Sequence, residues 1–325
     1  MREFTITKND AGQRVDKFLT KAVPLLPKSL LYKYLRLKRI KLNGKRTAID
    51  VRLAEGDLLQ LYINDEFFAP APARYDFLKA GKALTIVYED ENVMLLDKKV
   101  GLLSHPDEGE YVDTLITRVQ RYLYEKGEYD PENEHAFAPA LVNRIDRNTG
   151  GIVIAAKNAE ALRILNQKLK DREIEKYYLC VVIGSPETES GTYVDYMIKD
   201  EKKNQVRVYD RPVEGGKTMK TKFRVLDRKN GLSLLEVELL TGRTHQIRAH
   251  LAFHGTPLLG DGKYGKNADN ERFGGYKKQF LYSYKTVFAF STDAGALDYL
   301  NGRAFSVGDV WFRELDRIGS NKEEQ

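Results

Sequence analysis

The chain has 325 residues, 42% of them hydrophobic and 31% charged, with a net charge of +6, the composition of a globular protein of two or three domains with room for a sizeable core. It contains no run of about 18 uncharged apolar residues and no secretory leader pattern, which predicts a cytoplasmic protein without a membrane span. Its one cysteine, Cys180, excludes an internal disulfide and a cysteine-based zinc knuckle, and the surrounding "YYLCVVIG" reads as a buried strand.

The basic excess is local. Residues 1–63 hold 14 Lys plus Arg against 6 Asp plus Glu, so a polyanionic partner is expected for this part of the chain. Two short helical patterns occur in "RVDKFLTKAVPLLPKSLLYKYLRLKRIKLNGKR", separated by a turn between Pro24 and Pro27. The second places Leu30, Leu31, Tyr34 and Leu35 on one apolar face, with Lys33, Arg36, Lys38 and Arg39 away from it or at its end. Asn43-Gly44, just before Lys45, is a hairpin signal because both residues tolerate positive φ. "EGDLLQLYI" closes the unit as a strand, giving a first domain over residues 1–63.

The alternating Ala-Pro piece from Ala69 to Ala73 predicts a stiff, non-helical linker over residues 64–83. From Leu84 strand patterns dominate: "LTIVYED", "NVMLLDKKVG", "GGIVIAAKN", "KYYLCVVIG", "KTKFRVLDR", "LSLLEVELLTG" and "YKTVFAF". Helices are expected near Asp113 to Glu125, Ala159 to Lys170 and His245 to His254. The fold class is α+β: a mixed, mainly antiparallel sheet with packed helices over residues 84–318, followed by a disordered tail over 319–325.

The stretch "VNRIDRNTGG" sets Asp146 between Arg144 and Arg147 on a connection between two strands. Two flanking guanidiniums favour an ionised carboxylate, suited to nucleophilic or electrostatic work rather than to general acid catalysis. No second acid of similar prominence stands nearby, which argues against a two-carboxylate glycosidase. In "ELLTGRTHQIRAHLAFHG" a strand ends at Leu240, Thr244 is placed to cap a helix and Gly255 to stop it. Arg243 then lies at a helix N-terminus, with a phosphate or the Asp146 carboxylate as its expected anion. His245, His250 and His254 lack the HExxH pattern and an intervening carboxylate, so no metal is expected. "VEGGKT" lacks the first glycine of a phosphate loop, because Arg211 occupies that place. "GDGKYG", Gly260 to Gly265, is too generic to specify chemistry by itself.

Residues 12–63, through "RVDKFL", the basic second helix, "IKLNGK" and "GDLLQLYI", resemble the small alpha-L RNA-binding domain first known from a ribosomal protein of the small subunit. From about Leu84 to Phe290 the chain resembles the RluA-type pseudouridine synthases. "NRIDRNTGG" aligns with that family's HRLDxxTSG, "GRTHQIRAH" with GRTHQIRxH, and "PLLGDGKYG", "LLDKKVGLLSHP" and "REIEKYYLCVVIG" fall at family spacing. The resemblance implies isomerisation of uridine to pseudouridine in structured RNA, most naturally 23S ribosomal RNA with transfer RNA as the other candidate, by a monomer without cofactor. It implies base flipping, with Asp146 as catalytic aspartate, Tyr178 stacking on the flipped uracil, Arg243 pairing with Asp146, and Arg144 in the space left by the nucleotide. Arg147, Lys33, Arg36, Lys38, Arg39 and Lys45 are the further RNA contacts, and Leu240, His245, Gln246 and Arg248 support the pocket. Four positions depart from the family pattern: Asn143 for histidine, Gly150 for serine, Lys99 for proline and Tyr282 for histidine. The competing readings are a non-catalytic RNA-binding or ribosome-assembly factor on the same fold, and a nucleoside hydrolase, which leaves the basic module unexplained.

Overall fold

A computed structural model describes residues 1–68 and 71–318. The expectation of a frayed tail over 319–325, and the first two residues of the Ala-Pro piece, fall outside the described residues. No described helix is long and apolar enough to cross a membrane.

The first unit runs β1 (Arg2–Thr5), α1 (Val15–Ala22), α2 (Lys28–Arg36), β2 (Ile40–Leu42), β3 (Lys45–Arg46) and β4 (Leu58–Leu61). Its four strands order as β1-β4-β2-β3, so β1, which precedes the stretch matched by motif, forms one edge. Phe18, Leu19, Leu31 and Leu35 from the helices meet Ile40, Leu59 and Leu61 from the sheet in one apolar cluster. Asn43 and Gly44 both take positive φ, 51° and 76°, and close the expected hairpin. Lys33, Arg36, Lys38, Arg39 and Lys45 are all exposed.

The expected linker is not a free spacer. Phe68 is buried in the first unit's core, and a 3-10 helix over Ala71–Lys79 carries Phe77 into the core of the second unit. Residues 75–80 contain Tyr75, Phe77 and Ala80, and burying the Phe77 ring against Tyr124 and Tyr129 outweighs the extended preference set by the prolines upstream. The two units also touch directly. Asn9 donates to Glu134 and accepts the backbone N–H of Ala159, and Asp10 accepts the N–H of Ala136.

The second unit continues with β5 (Ile86–Glu89), β6 (Val93–Lys98), α3 (Leu115–Glu125), β7 (Ala140–Leu141), β8 (Gly150–Ala156), α4 (Ala159–Lys170), β9 (Ile174–Ile183), β10 (Ser190–Asp200), β11 (Gln205–Tyr209), β12 (Lys217–Lys229), β13 (Leu232–Leu239), α5 (Gln246–Phe253), α6 (Asn267–Arg272), β14 (Leu281–Phe288) and β15 (Ala304–Ser306). Nine strands order as β11-β10-β12-β13-β9-β14-β8-β6-β5, with β15 on β14 and β7 on β8. Among the described residues the β8–β14 pair is the parallel one and the rest are antiparallel.

Side-chain alternation splits the hydrophobic runs between two faces. Ile152, Ile154, Leu179 and Val181 join α4 on one side, while Val153, Ala155, Tyr178, Cys180 and Val182 join α3 and α5 on the other. Helix α3 starts at a reciprocal cap in which Thr114 and Thr117 each accept the other's backbone N–H, and α4 starts where Asn158 accepts from Ala161. Strands β10 and β11 have no counterpart among the expected strands. Asp195, Lys199, Asp200 and Arg207 interrupt their apolar positions, a broken hydrophobic signal that pairing of β10 with β12 and of β11 with β10 turns into a ladder.

Candidate active site

Asp146 stands on the eight-residue connection between β7 and β8, and the loop is braced from below. Lys98, fully buried at the end of β6, donates to the carbonyls of Lys99, Leu102 and Arg147 at 3.1, 2.7 and 3.0 Å. Three acceptors match the three N–H bonds of an ammonium. Burial pushes the Lys98 pKa down to about 7, against the pull of Asp146 and Asp97. Gly101 N–H also donates to the Arg147 carbonyl at 2.8 Å, and Ser104 Oγ to that of Ile145 at 3.0 Å. Asn143, where the family pattern has histidine, accepts the N–H of Ile154 and ties the loop to β8.

The guanidinium paired with Asp146 is that of Arg248, with Nη1 donating to Oδ2 at 2.9 Å. The expected Arg243 pair is not formed: Arg243 Nε donates to the Thr218 carbonyl at 3.2 Å. The reason lies at the start of α5. Thr244 does not cap it; the capping position is His245, in the left-handed region at φ 50°, and the turn directs Arg243 toward β12. Helical side chains lean toward the N-terminus, so Arg248, in the first turn, reaches the Asp146 loop. Gly255, at φ 80°, follows the helix as expected.

Neither Arg144 nor Arg147 is paired with Asp146. Both are exposed, and Arg147 Nε donates to the Gly101 carbonyl.

Asp261 holds the other edge of Arg248, accepting from Nε at 2.6 Å and from Nη2 at 3.0 Å. It also accepts the N–H groups of Lys263 and Tyr264. Burial raises its pKa, but the guanidinium and the two N–H donors outweigh that and hold the carboxyl below its usual range. For Arg248, burial opposes the charge, and the carboxylates of Asp261 and Asp146 more than offset it. Gly260, just before Asp261, is at φ 78°, and a Cβ there would stand 2.0 Å from the Lys278 carbonyl oxygen, so the turn that aims Asp261 requires glycine. "GDGKYG" thus contains a residue that reading by composition passed over; its signal was its fixed spacing after "GRTHQIRAH".

A cavity of about 410 Å³ opens over Asp146, lined among others by Arg144, Tyr178, Leu239, Arg243, His245 and Arg248. Tyr178, on β9, is buried, with the Ser283 hydroxyl as partner. Burial first and Asp146 further push its pKa up to about 12, so the phenol keeps its proton. His245 Nδ1 meets Tyr264 Oη at 2.8 Å and its Nε2 lies 3.9 Å from Asp146 Oδ2; burial lowers its pKa. Gln246 accepts from Arg243 N–H and Thr241 Oγ1 and donates to Lys220 O, fixing the turn before α5. Leu239, not the expected Leu240, faces the cavity, since neighbouring positions at a strand end point to opposite sides. Lys33, Arg36, Lys38, Arg39 and Lys45 belong to the first unit and do not line this cavity.

Of the three clustered histidines, His250 and His254 meet Asp195 of β10, away from His245. The Tyr282 ring fills the space beside Gly150. A Cβ at Gly150 would approach Tyr282 Cε2 to 2.3 Å, and Tyr282 Oη donates to Asp97 Oδ1 at 2.7 Å. Two departures from the family pattern are therefore one change: the larger ring requires the smaller neighbour.

Residues 92–253 match the family model described as RNA pseudouridylate synthase. An uncharacterized RNA pseudouridine synthase of Mycoplasma genitalium is 33% identical over 289 residues, spanning 88% of each chain. The chain belongs to the RNA pseudouridylate synthase family. It is an isomerase acting on uridine in RNA. The ribosomal large subunit pseudouridine synthase C of Vibrio cholerae is 32% identical over 279 residues, 85% of this chain and 82% of that one. The fold is shared with human RNA pseudouridylate synthase domain containing 4, at a TM-score of 0.56 and 18% identity over 72% of this synthase and 92% of the human chain.

Proposed function

We propose that this synthase modifies uridine in large-subunit ribosomal RNA, with Asp146 as its catalytic carboxylate. The observation that carries the assignment is the position of Asp146 at the cavity, aimed by Arg248 from one side and by the Lys98-braced loop from beneath. In the reaction the bond from ribose C1′ to uracil N1 breaks, the base turns, C1′ bonds to C5, the C5 proton leaves to solvent and N1 takes up a proton in exchange. No electron is gained or lost overall, so one placed carboxylate suffices. Asp146 acts on the sugar–base unit; attack on the base and a glycal route are both compatible with its position. Tyr178 offers a protonated phenol and a flat face for the flipped uracil. Arg243 and the exposed Arg144 line the cavity, and the exposed Arg147 follows Asp146 on the same loop, as contacts for phosphate or for the gap in the stack.

The exposed cations of the first unit supply general RNA affinity, and the similarity to the Vibrio cholerae large-subunit synthase favours the large ribosomal subunit. The test is tritium release from 5-tritiated uridine in large-subunit ribosomal RNA prepared from cells lacking the protein. Release by the native chain and none by Asp146→Asn is expected. Undiminished release by the variant would remove Asp146 from the reaction, and release from transfer RNA alone would overturn the ribosomal assignment.

A further inference from the structure

Asp195 is buried on β10, and its Oδ2 lies 2.8 Å from His250 Nε2 and 2.6 Å from His254 Nε2. The three atoms are all within 4.8 Å of one another. Among the described residues the ion-pair partners of Asp195 are these two imidazoles alone, so a buried carboxylate has no permanent cation beside it. We propose that Asp195, His250 and His254 bind a divalent cation of the zinc class, which pins α5 to β10.

The geometry fits that class. Zinc takes imidazole nitrogen and carboxylate oxygen at about 2.0–2.2 Å in a tetrahedron, which keeps donors roughly 3.3 Å apart. The carboxylate contacts need to open by well under an ångström, and small rotations of the imidazoles achieve this. His250 on α5 and His254, the residue that caps its C-terminus, are four residues apart and so share a face. Imidazole and carboxylate together favour zinc, cobalt or nickel over calcium or magnesium, which prefer all-oxygen shells.

Neighbours orient both rings, as the surroundings of a metal ligand do. His250 Nδ1 is 2.8 Å from Thr221 Oγ1, and the His254 ring is stacked on Tyr193, 3.7 Å between centroids and 3° from parallel. The His254 side chain is 29% exposed, giving an entry path and a place for water as the fourth ligand. Gln246 Nε2 donates to Thr221 Oγ1, so without metal the threonine proton is directed to His250 Nδ1 and the His250 Nε2 proton to Asp195. On binding, that proton moves from Nε2 to Nδ1 and the Thr221 hydroxyl turns to accept it. The rearrangement opposes binding, so the expected affinity is below that of thiolate sites.

The test is titration of the full chain with Co²⁺ and then Zn²⁺, each alone, beside His254→Ala and His254→Gln. The glutamine variant keeps an N–H donor for Asp195 and removes the imidazole. Binding of one cation per native chain, a visible cobalt spectrum of tetrahedral type, and a rise of several degrees in Tm at a hundredfold excess over Kd are expected. Both variants should lose all three while keeping the native circular dichroism and tritium release. Equal metal uptake by native and variants, or no cobalt spectrum and no Tm shift, would reduce the cluster to a hydrogen-bonded one and overturn the proposal.

Discussion

Arg248 donates from Nη1 to Asp146 Oδ2 at 2.9 Å, and the direction of that bond is set by Asp261, which takes the opposite edge of the guanidinium. Asp261→Asn should therefore lower kcat about 100-fold through misplacement while changing KM for RNA little. Breaking this buried pair should also cost about 3 kcal/mol of stability. Arg248→Lys should fail as well, because an ammonium cannot bridge two carboxylates as a planar fork does. Single-turnover kinetics and urea unfolding measure both effects, and an unchanged kcat in Asp261→Asn would show that Arg248 is aimed without it.

Lys98 links the catalytic loop to pH. Its folded pKa, pushed down to about 7 by burial, lies below the unfolded value of about 10.4. Between those values the unfolded chain binds the extra proton, so this residue makes stability rise with pH from about 7 to 10, by up to 1.4 kcal/mol per pH unit. Below about pH 7 the full penalty applies. Lys98→Met should abolish that slope relative to native and lower tritium release as the Arg147 carbonyl loses a donor. Parallel slopes for the two proteins in urea unfolding would mean that Lys98 is charged to the same degree in both states.

Gly150 and Tyr282 should be coupled. Gly150→Ser alone should destabilise by about 2 kcal/mol through overpacking against the ring, and the same substitution made with Tyr282→His should cost much less. A double-mutant cycle read by thermal unfolding tests this, with additive effects as the contrary result.

Arg36→Gln and Lys45→Gln together should weaken RNA binding and flatten its dependence on salt by up to about two units of log–log slope. Both side chains are exposed, so the fold should be unaffected. Fluorescence anisotropy across a range of salt measures the slope. An unaltered slope would place the RNA elsewhere on the molecule.

The hairpin at Asn43-Gly44, helix α4 and the hydrophobic strands were legible because each depends on local signals: φ preference, 3.6-residue spacing and side-chain alternation. Strands β10 and β11 were not, since their interrupted apolar pattern becomes a ladder only when β10 pairs with β12 and β11 with β10. The packed segment around Phe77 was hidden behind prolines for the same kind of reason.

Asp146 and Tyr178 stood out in motifs of fixed spacing, and those motifs already implied a uridine isomerase. The choice between Arg243 and Arg248 as partner of Asp146 rested on one left-handed residue, His245, and on where a carboxylate 115 residues further along the chain from Asp146 comes to lie. Residue types and spacing set which chemistry is available, because they are properties of the chain. Which guanidinium meets which carboxylate, and which histidine meets Asp195, depends on long-range closure of the sheet, which brings together residues that no local preference connects.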